Sequence, residues 1–269
     1  MSWSGQSPKF QVPGLVGRFF GLSVVCFGLT TPAAPAISPD ALFHLGSGAY
    51  HAGDYVRAAQ AFEQAATLEP ASGTLQNLGN AEWKCGKTGL AVLSWERALW
   101  LDPFDDAAQI NLRFARKTAQ LESPELSWYE VVSTWLPVNW WAWIASASFW
   151  LAVALVLLPG ILRWRKLTWH QAGAALGFAV FLLSVPAHWG VDTRSRLGFI
   201  LEKDTPLRLT PTADAQTITR LPSGEPARVA RARGLYLLVH TSRSSGWILR
   251  EQIGLIAQPL PSSKAGAAK

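Results

Sequence analysis

The stretch LFHLGSGAYHAGDYVRAAQAFEQAATLEP at residues 42–70 decides the fold, because residues 75–103, LQNLGNAEWKCGKTGLAVLSWERALWLDP, repeat its pattern. The two stretches agree at a constant offset of 33 residues, as from Leu45 to Leu78. The other matches are Gly46 and Gly79, Gly53 and Gly86, Ala58 and Ala91, Phe62 and Trp95, Ala65 and Ala98, Leu68 and Leu101, and Pro70 and Pro103. Such a period is typical of a solenoid of helix pairs. We therefore predict an all-α repeat domain at residues 37–120, with repeats at about 39–71 and 72–104 and, at 105–119, a capping helix or the first half of a third repeat.

The matching positions resemble the tetratricopeptide repeat, in which small residues let paired helices approach closely and a proline ends the second helix. In that family the first helices of the pairs form a concave, peptide-binding face. The resemblance implies ten candidate peptide-binding residues: Phe43, His44, Ser47, Tyr50, His51, Gln76, Asn77, Asn80, Trp83 and Lys84. The alternative is that Tyr50 and Trp83 only pack between repeats. A chaperone-tail ligand is not supported, because Phe43 and Ser47 stand where a carboxylate clamp needs lysine and asparagine.

Two apolar runs without formal charge follow the repeats, at residues 140–162 and 168–191. A bilayer core of about 30 Å needs about 20 helical residues, so each run is long enough to span it. Tryptophans cluster near the ends of the runs, as in the aromatic belts of membrane proteins. We predict a transmembrane helix hairpin, preceded by an interfacial tryptophan-rich linker at 121–139. The alternative is a pair of core helices in a soluble protein.

The N-terminal 36 residues fit a secretory signal peptide. Lys9 and Arg18 precede the apolar run FFGLSVVCFGLT, and Ala34-Pro35-Ala36 fits a small-x-small cleavage site, although cleavage itself stays open. The connector at 163–167 contains three basic residues, which places this turn in the cytoplasm by the positive-inside rule. Both soluble flanks are therefore expected on the periplasmic side of a bacterial inner membrane.

Residues 197–257 read as short β-strands separated by proline and glycine turns, which predicts a small all-β barrel. The layout, and above all Gly246-Trp247-Ile248, resembles a bacterial SH3-type domain. That resemblance implies a candidate ligand face with Tyr236 and Trp247. The alternative is that Trp247 belongs to the barrel core. The tail at 258–269 is predicted to be disordered.

Composition and motifs argue against several functions. The net charge is +6, but the basic residues are scattered and form no stripe for nucleic acid. Two cysteines, Cys26 and Cys85, are too few for a disulfide framework. The sequence AEWKCGKTG resembles the end of a P-loop, yet it falls on a helix turn without a preceding strand. No catalytic or metal-binding constellation can be placed, so we expect no enzyme and no cofactor.

The predicted chain is thus a multidomain membrane protein with a tetratricopeptide helical-repeat domain, a two-helix transmembrane hairpin and a small all-β SH3-like barrel. This order resembles BatE-type proteins, which are named for bacterial aerotolerance operons. The resemblance implies an envelope scaffold whose partners are von Willebrand A-domain membrane proteins and a MoxR-type ATPase system. The alternative function is a cell-wall-binding accessory subunit of a peptidoglycan enzyme.

Overall fold

The computed structural model describes residues 38–163 and 168–257. The predicted signal peptide at 1–36, the predicted tail at 258–269 and most of the predicted cytoplasmic turn lie outside these residues. The described chain contains a set of short paired helices, two long apolar helices and one β-sheet.

Five helices build the repeat region: α1 (Pro39–His51), α2 (Tyr55–Leu68), α3 (Ser72–Lys84), α4 (Thr88–Leu101) and α5 (Asp106–Ala119). Ser38 and Asp54 begin α1 and α2, because their side-chain oxygens accept hydrogen bonds from backbone amides of the first turn. The turns inside the two pairs contain Gly53 and Gly86, whose φ angles of 80° and 75° favour glycine. The predicted tetratricopeptide-like helix pairs are therefore present.

The two helices of each pair pack closely because a glycine faces an aromatic ring at the same position of each repeat. A Cβ atom on Gly46 would lie 2.8 Å from Phe62 Cε1, and one on Gly79 would lie 2.6 Å from Trp95 Nε1. Any larger side chain at these glycines would displace the ring in a close-packed interior. The offset in the sequence thus reflects one packing contact that is used twice.

A short helix, α6 (Trp128–Ser133), leads into the two long helices α7 (Val138–Ile161) and α8 (Thr168–Arg194). The apolar windows of α7 and α8 have a mean hydropathy of 2.1 and 1.6, so both helices are long and apolar enough to cross a membrane. They pack side by side through small residues. A Cβ on Gly177 would lie 3.0 Å from the Ser148 carbonyl oxygen and 3.1 Å from Ala152 Cβ.

The bounds of the long helices differ from the predicted spans. α7 begins two residues earlier than predicted, and α8 continues three residues further, through Asp192 and Arg194. The prediction ended the second helix where charge begins. In the structure the helix continues because Arg194 is buried against other parts of the protein, where its guanidinium group donates a hydrogen bond to Ser133 Oγ.

The C-terminal strands are β1 (Leu197–Ile200), β2 (Thr205–Arg208), β3 (Thr217–Leu221), β4 (Pro226–Arg233), β5 (Tyr236–His240), β6 (Ser245–Leu249) and β7 (Ile253–Leu255). They form one antiparallel sheet in the order β3-β2-β6-β5-β4-β1-β7. Within residues 197–257 no pairing joins β3 to β7, so the sheet is open and the prediction of a closed barrel was wrong. The β7 end of the sheet packs on α4 instead, since a Cβ on Gly254 would overlap the Leu93 side chain.

The repeat helices and the sheet share one hydrophobic core. Leu197, Phe199 and Ile256 of the sheet region belong to the same buried cluster as Val92 and Leu93 of α4. Polar contacts reinforce this junction at α4. The two regions were predicted as separate modules, so the shared core is a finding of the structure.

Candidate functional site

The surface formed by α1, α3 and α5, here called the first-helix face, contains the predicted peptide-binding residues. α1 and α3 are the first helices of the two pairs, and α5 is joined to α3 through side chains. Asn111 Nδ2 on α5 donates to Asn80 Oδ1 on α3 at 2.7 Å, and the rings of Trp83 and Phe114 lie 5.9 Å apart. The face therefore extends over three helices.

The five candidates on α1 divide into packing and exposed residues. Phe43 is half-buried, with its ring 5.6 Å from that of Phe62, and Tyr50 is half-buried, with its ring 5.2 Å from that of Tyr55. Ser47 is also half-buried, whereas His44 and His51 are exposed. On this helix, the aromatic candidates hold α1 to α2 and the histidines are the accessible groups.

The candidates on α3 are more closely tied to their neighbours. Asn80 Oδ1 also accepts a hydrogen bond from Trp95 Nε1 at 3.1 Å, so this amide connects α3, α4 and α5. Trp83 is half-buried between Trp95 and Phe114. The remaining candidates are Gln76 and Asn77, both half-buried, and Lys84, which is exposed and places its ammonium group 6.0 Å from the Tyr55 ring centre.

Two exposed apolar residues of α5 complete the first-helix face and were not predicted. Ile110 and Phe114 are 56% and 57% exposed. The buried residues Ala108, Leu112 and Ala115 of α5 follow Thr74, Leu78 and Ala81 of α3 by 34 residues, as from 74 to 108. α5 is thus placed as the first helix of a third repeat, and that shifted alignment is the signal that could have identified these two residues.

A buried carboxyl group lies behind this face. Glu82 on α3 is buried, and Ser94 Oγ on α4 donates to its Oε2 at 2.7 Å. Burial raises the pKa of Glu82 to about 8, against the opposing effects of the Ser94 hydrogen bond and of the nearby Lys87 and Arg97 charges. Near neutral pH this group is therefore largely protonated and acts as a neutral hydrogen-bonding partner between the helices of the second pair.

The opposite side of the repeat region is fixed to the sheet by α4. The Gly89 amide donates to Ser223 Oγ at 2.8 Å, and Arg97 donates to the Leu255 carbonyl oxygen through Nε at 3.1 Å and Nη2 at 2.8 Å. Burial lowers the pKa of Arg97 to about 10, while nearby Glu82 opposes this change. These contacts join α4, the second helix of its pair, to the sheet region.

A second polar junction joins α6, α8 and the sheet. Glu130 on α6 is 1% exposed and accepts from Arg228 on β4, at 2.6 Å and 3.2 Å, and from the Ser127 amide at 2.8 Å. Burial acts to raise the pKa of Glu130, but the hydrogen bonds from Arg228 and Ser127 outweigh it and hold the pKa below its ordinary value. The end of α8 is attached nearby, where the Arg194 guanidinium lies 5.0 Å from the Trp100 ring centre.

Replacing Glu130 with glutamine should lower the free energy of unfolding by about 2 kcal/mol at neutral pH, because Arg228 then loses its charged partner at a largely buried site. Denaturant unfolding in detergent micelles, followed by tryptophan fluorescence, measures the change. The exposed pair Arg196–Asp192 serves as a control, since Asp192→Asn should cause no measurable loss. Equal stability of Glu130→Gln and the wild type would contradict this role for the buried pair.

The candidate ligand residues of the sheet lie on the same face. Tyr236 on β5 pairs with Leu249 on β6, and Trp247 stands two residues away from Leu249 on the same strand, so the two rings are diagonal neighbours. Both residues are half-buried, and they alternate with the core residues Leu237 and Ile248. Trp247 therefore lies on the sheet face opposite that core.

One comparison with known proteins identifies part of the chain. The family model for the tetratricopeptide repeat matches residues 39–72, which cover α1 and α2. No curated protein matches the chain. The match and the paired helices fit a protein that contains tetratricopeptide repeats. Such repeats are typically non-catalytic interaction modules, which suggests a scaffold for protein–protein interactions.

Proposed function

We propose that this protein is a non-enzymatic, membrane-anchored scaffold that binds a protein partner on the first-helix face. One observation carries the proposal. The helix pairs that begin with the tetratricopeptide match at residues 39–72 continue through α5, and there Trp83, Phe114 and Ile110 form an apolar stripe whose two α5 members are more than half exposed. Large exposed apolar groups on a soluble surface are typical of interaction sites.

The charge of the first-helix face favours an acidic peptide. His44, His51 and Lys84 are exposed, and Lys117 on α5 follows Trp83 by the same 34-residue offset, which puts it on this face. None of the ten candidate residues is acidic, and the exposed Asp40 and Asp106 lie in the first turns of α1 and α5, where they complement the helix dipoles. An extended peptide with an apolar side chain for the stripe and flanking carboxylates fits this arrangement, because opposite charges steer association.

Membrane anchoring is proposed from the exposure of α7 and α8. Only 22% and 28% of their apolar windows are buried within the protein, whereas a soluble core helix would be mostly buried. Trp143 and Trp169 are exposed at opposite ends of the hairpin, as in an aromatic belt. Because the repeat region shares a core with the sheet, both soluble parts lie on one side of such a membrane. The proposed signal peptide and basic connector place that side in the periplasm of a bacterial inner membrane.

The resemblance to BatE-type proteins supplies candidate partners for this scaffold, namely von Willebrand A-domain membrane proteins and a MoxR-type ATPase system. A second candidate function, binding of peptidoglycan as an accessory subunit of a cell-wall enzyme, is favoured by the neighbouring Tyr236 and Trp247 rings. Adjacent aromatic rings on a sheet face offer a flat surface for a sugar. That face would act as the SH3-type ligand site.

The proposed function is tested by replacing Ile110 and Phe114 together with alanine. We expect at least a tenfold loss of partner capture from membranes, because central apolar anchors dominate the energy of such interfaces. Capture is measured by crosslinking followed by affinity purification and quantitative mass spectrometry, with the folded state checked by the helical circular dichroism signal.

The matched control is Val56→Ala with Leu68→Ala on α2. These two apolar residues are each 59% exposed, close to the exposure of Ile110 and Phe114, but they belong to a second helix. The control variant should capture the same partner as the wild type. A partner that is lost equally from both variants, or kept equally by both, would contradict the first-helix face as the binding surface.

A further inference from the structure

A cleft of about 430 Å³ lies between the end of α8 and one edge of β4. Its lining includes Ser195 and Arg196, which directly follow α8, and Ala230 and Arg231 of β4. The two charged residues in its lining are both arginines, and both are exposed. The cleft therefore presents positive charge to whatever molecule enters it.

The backbone around the cleft is also available for hydrogen bonding. β1 pairs with β4 only from Pro226 to Arg228, and the Val229 amide then donates to the Arg196 carbonyl oxygen at 2.9 Å. On this side, residues 230–233 of β4 have no neighbouring strand within the described part of the chain. An edge of this kind leaves backbone groups unpaired.

The arginines of this region have different surroundings. Arg194 is buried against Trp100 and Ser133, and Arg228 donates a hydrogen bond to the carboxylate of Glu130. Arg196 has a single exposed ion pair with Asp192 at 3.2 Å, a contact that exposed groups exchange readily with solvent. Arg196 and Arg231 are thus the basic groups of the cleft that an incoming anion can reach.

The position of the cleft selects the kind of anion. Arg196 comes two residues after the end of α8, and the exposed Trp189 comes five residues before that end. Exposed tryptophans near the end of a span lie at the level of lipid headgroups. We infer that this cleft binds the phosphate group of an anionic phospholipid headgroup, with Arg196 and Arg231 as the contacting residues. The inference rests on the proposed insertion of α7 and α8 into a bilayer.

Binding is tested on the full chain in neutral detergent micelles by native mass spectrometry with added phosphatidylglycerol or phosphatidylcholine. The wild type should bind phosphatidylglycerol more tightly, and the variant Arg196→Gln with Arg231→Gln should lose about tenfold of that affinity, because basic groups at the surface attract anionic lipid. The variant Arg220→Gln with Arg250→Gln removes the same charge from other exposed positions and should keep the wild-type affinity.

Three results would overturn the inference: equal affinity of the wild type for both lipids, an equal loss in both double variants, or displacement of phosphatidylglycerol by the same concentration of inorganic phosphate. The last result would mean that the cleft is a site for free phosphate. Insertion of α7 and α8 into a bilayer is tested separately, by flotation of the wild type with phosphatidylcholine vesicles after an alkaline wash. A protein that floats but lacks the lipid preference would refute the cleft alone, and one that does not float would refute the anchoring.

Discussion

The wild-type protein is expected to lose about 4 kcal/mol of stability, relative to a Glu82→Gln variant, between pH 4.5 and pH 8. The carboxyl of Glu82 has an ordinary pKa near 4.5 when unfolded and a pKa of about 8 when buried in the folded protein. Between these values the folded state holds a proton that the unfolded state has released, so the free energy of unfolding falls as the pH rises. Glutamine imitates the protonated carboxyl and does not titrate.

Denaturant unfolding of both proteins across this pH range gives the difference between their free energies of unfolding. Taking this difference cancels the contribution of the other titrating groups, which both proteins share. The two proteins should be about equally stable near pH 4.5, and the variant should be the more stable at pH 8. Glu69→Gln removes an exposed carboxyl at the end of α2 and controls for the loss of one negative charge. Parallel profiles for the wild type and Glu82→Gln would show that burial does not keep this proton in place.

Gly89→Ala is expected to lower the free energy of unfolding by about 3 kcal/mol. A Cβ atom at this position would overlap the Ile200 carbonyl oxygen and lie 2.6 Å from that of Leu201, and backbone atoms cannot rotate away as a flexible side chain can. Overpacking of this kind costs about 1–3 kcal/mol, and here the hydrogen bond to Ser223 is strained as well. The added methyl group therefore pushes α4 away from the sheet.

Gly73→Ala is the matched control, because a Cβ on Gly73 of α3 meets no atom within 4 Å. That substitution should raise the stability by up to about 1 kcal/mol through better helix propensity. Unfolding followed by tryptophan fluorescence gives both values. A Gly89→Ala protein as stable as Gly73→Ala would contradict the shared core of the repeat region and the sheet.

The repeat helices could be predicted because the residues of their packing contact, a glycine and an aromatic residue, occur in both repeats. Gly46 with Phe62 and Gly79 with Trp95 are local pairs, 16 residues apart in both repeats, as from 46 to 62. The third repeat is marked less clearly in the sequence, because Arg113 stands where an offset of 34 residues places the glycine. The sequence therefore leaves α5 open between a capping helix and the first half of a third repeat, and its buried residues Ala108, Leu112 and Ala115 favour the third repeat.

The sequence predicts which helices hold the candidate residues, but it does not predict the contacts that each residue makes. The helical period places Phe43, Tyr50 and Asn80 on the first helices, but only three-dimensional contacts show that they hold helices together. The exposure of Ile110 and Phe114 likewise depends on what covers α5. Their apolar character alone would equally suit a buried helix face.

The junctions between the regions could not be predicted, because they join distant parts of the chain. Arg97 bonds to the Leu255 carbonyl across 158 residues, and Arg228 bonds to Glu130 across 98 residues. The local sequence around each of these residues does not indicate which distant residue it contacts. The Arg97 contact lies at the β7 end of the open sheet, where α4 packs.

The central claim, that the first-helix face of a membrane-anchored scaffold binds a protein partner, is tested most directly by site-specific photocrosslinking in intact cells. A photoreactive phenylalanine derivative replaces Phe114 in one variant and Leu68 in another, two apolar residues of similar exposure on α5 and α2. We expect a crosslinked protein adduct of one defined mass in the membrane fraction from position 114, and no such adduct from position 68. The same adduct from both positions, or an adduct from position 68 alone, would contradict it.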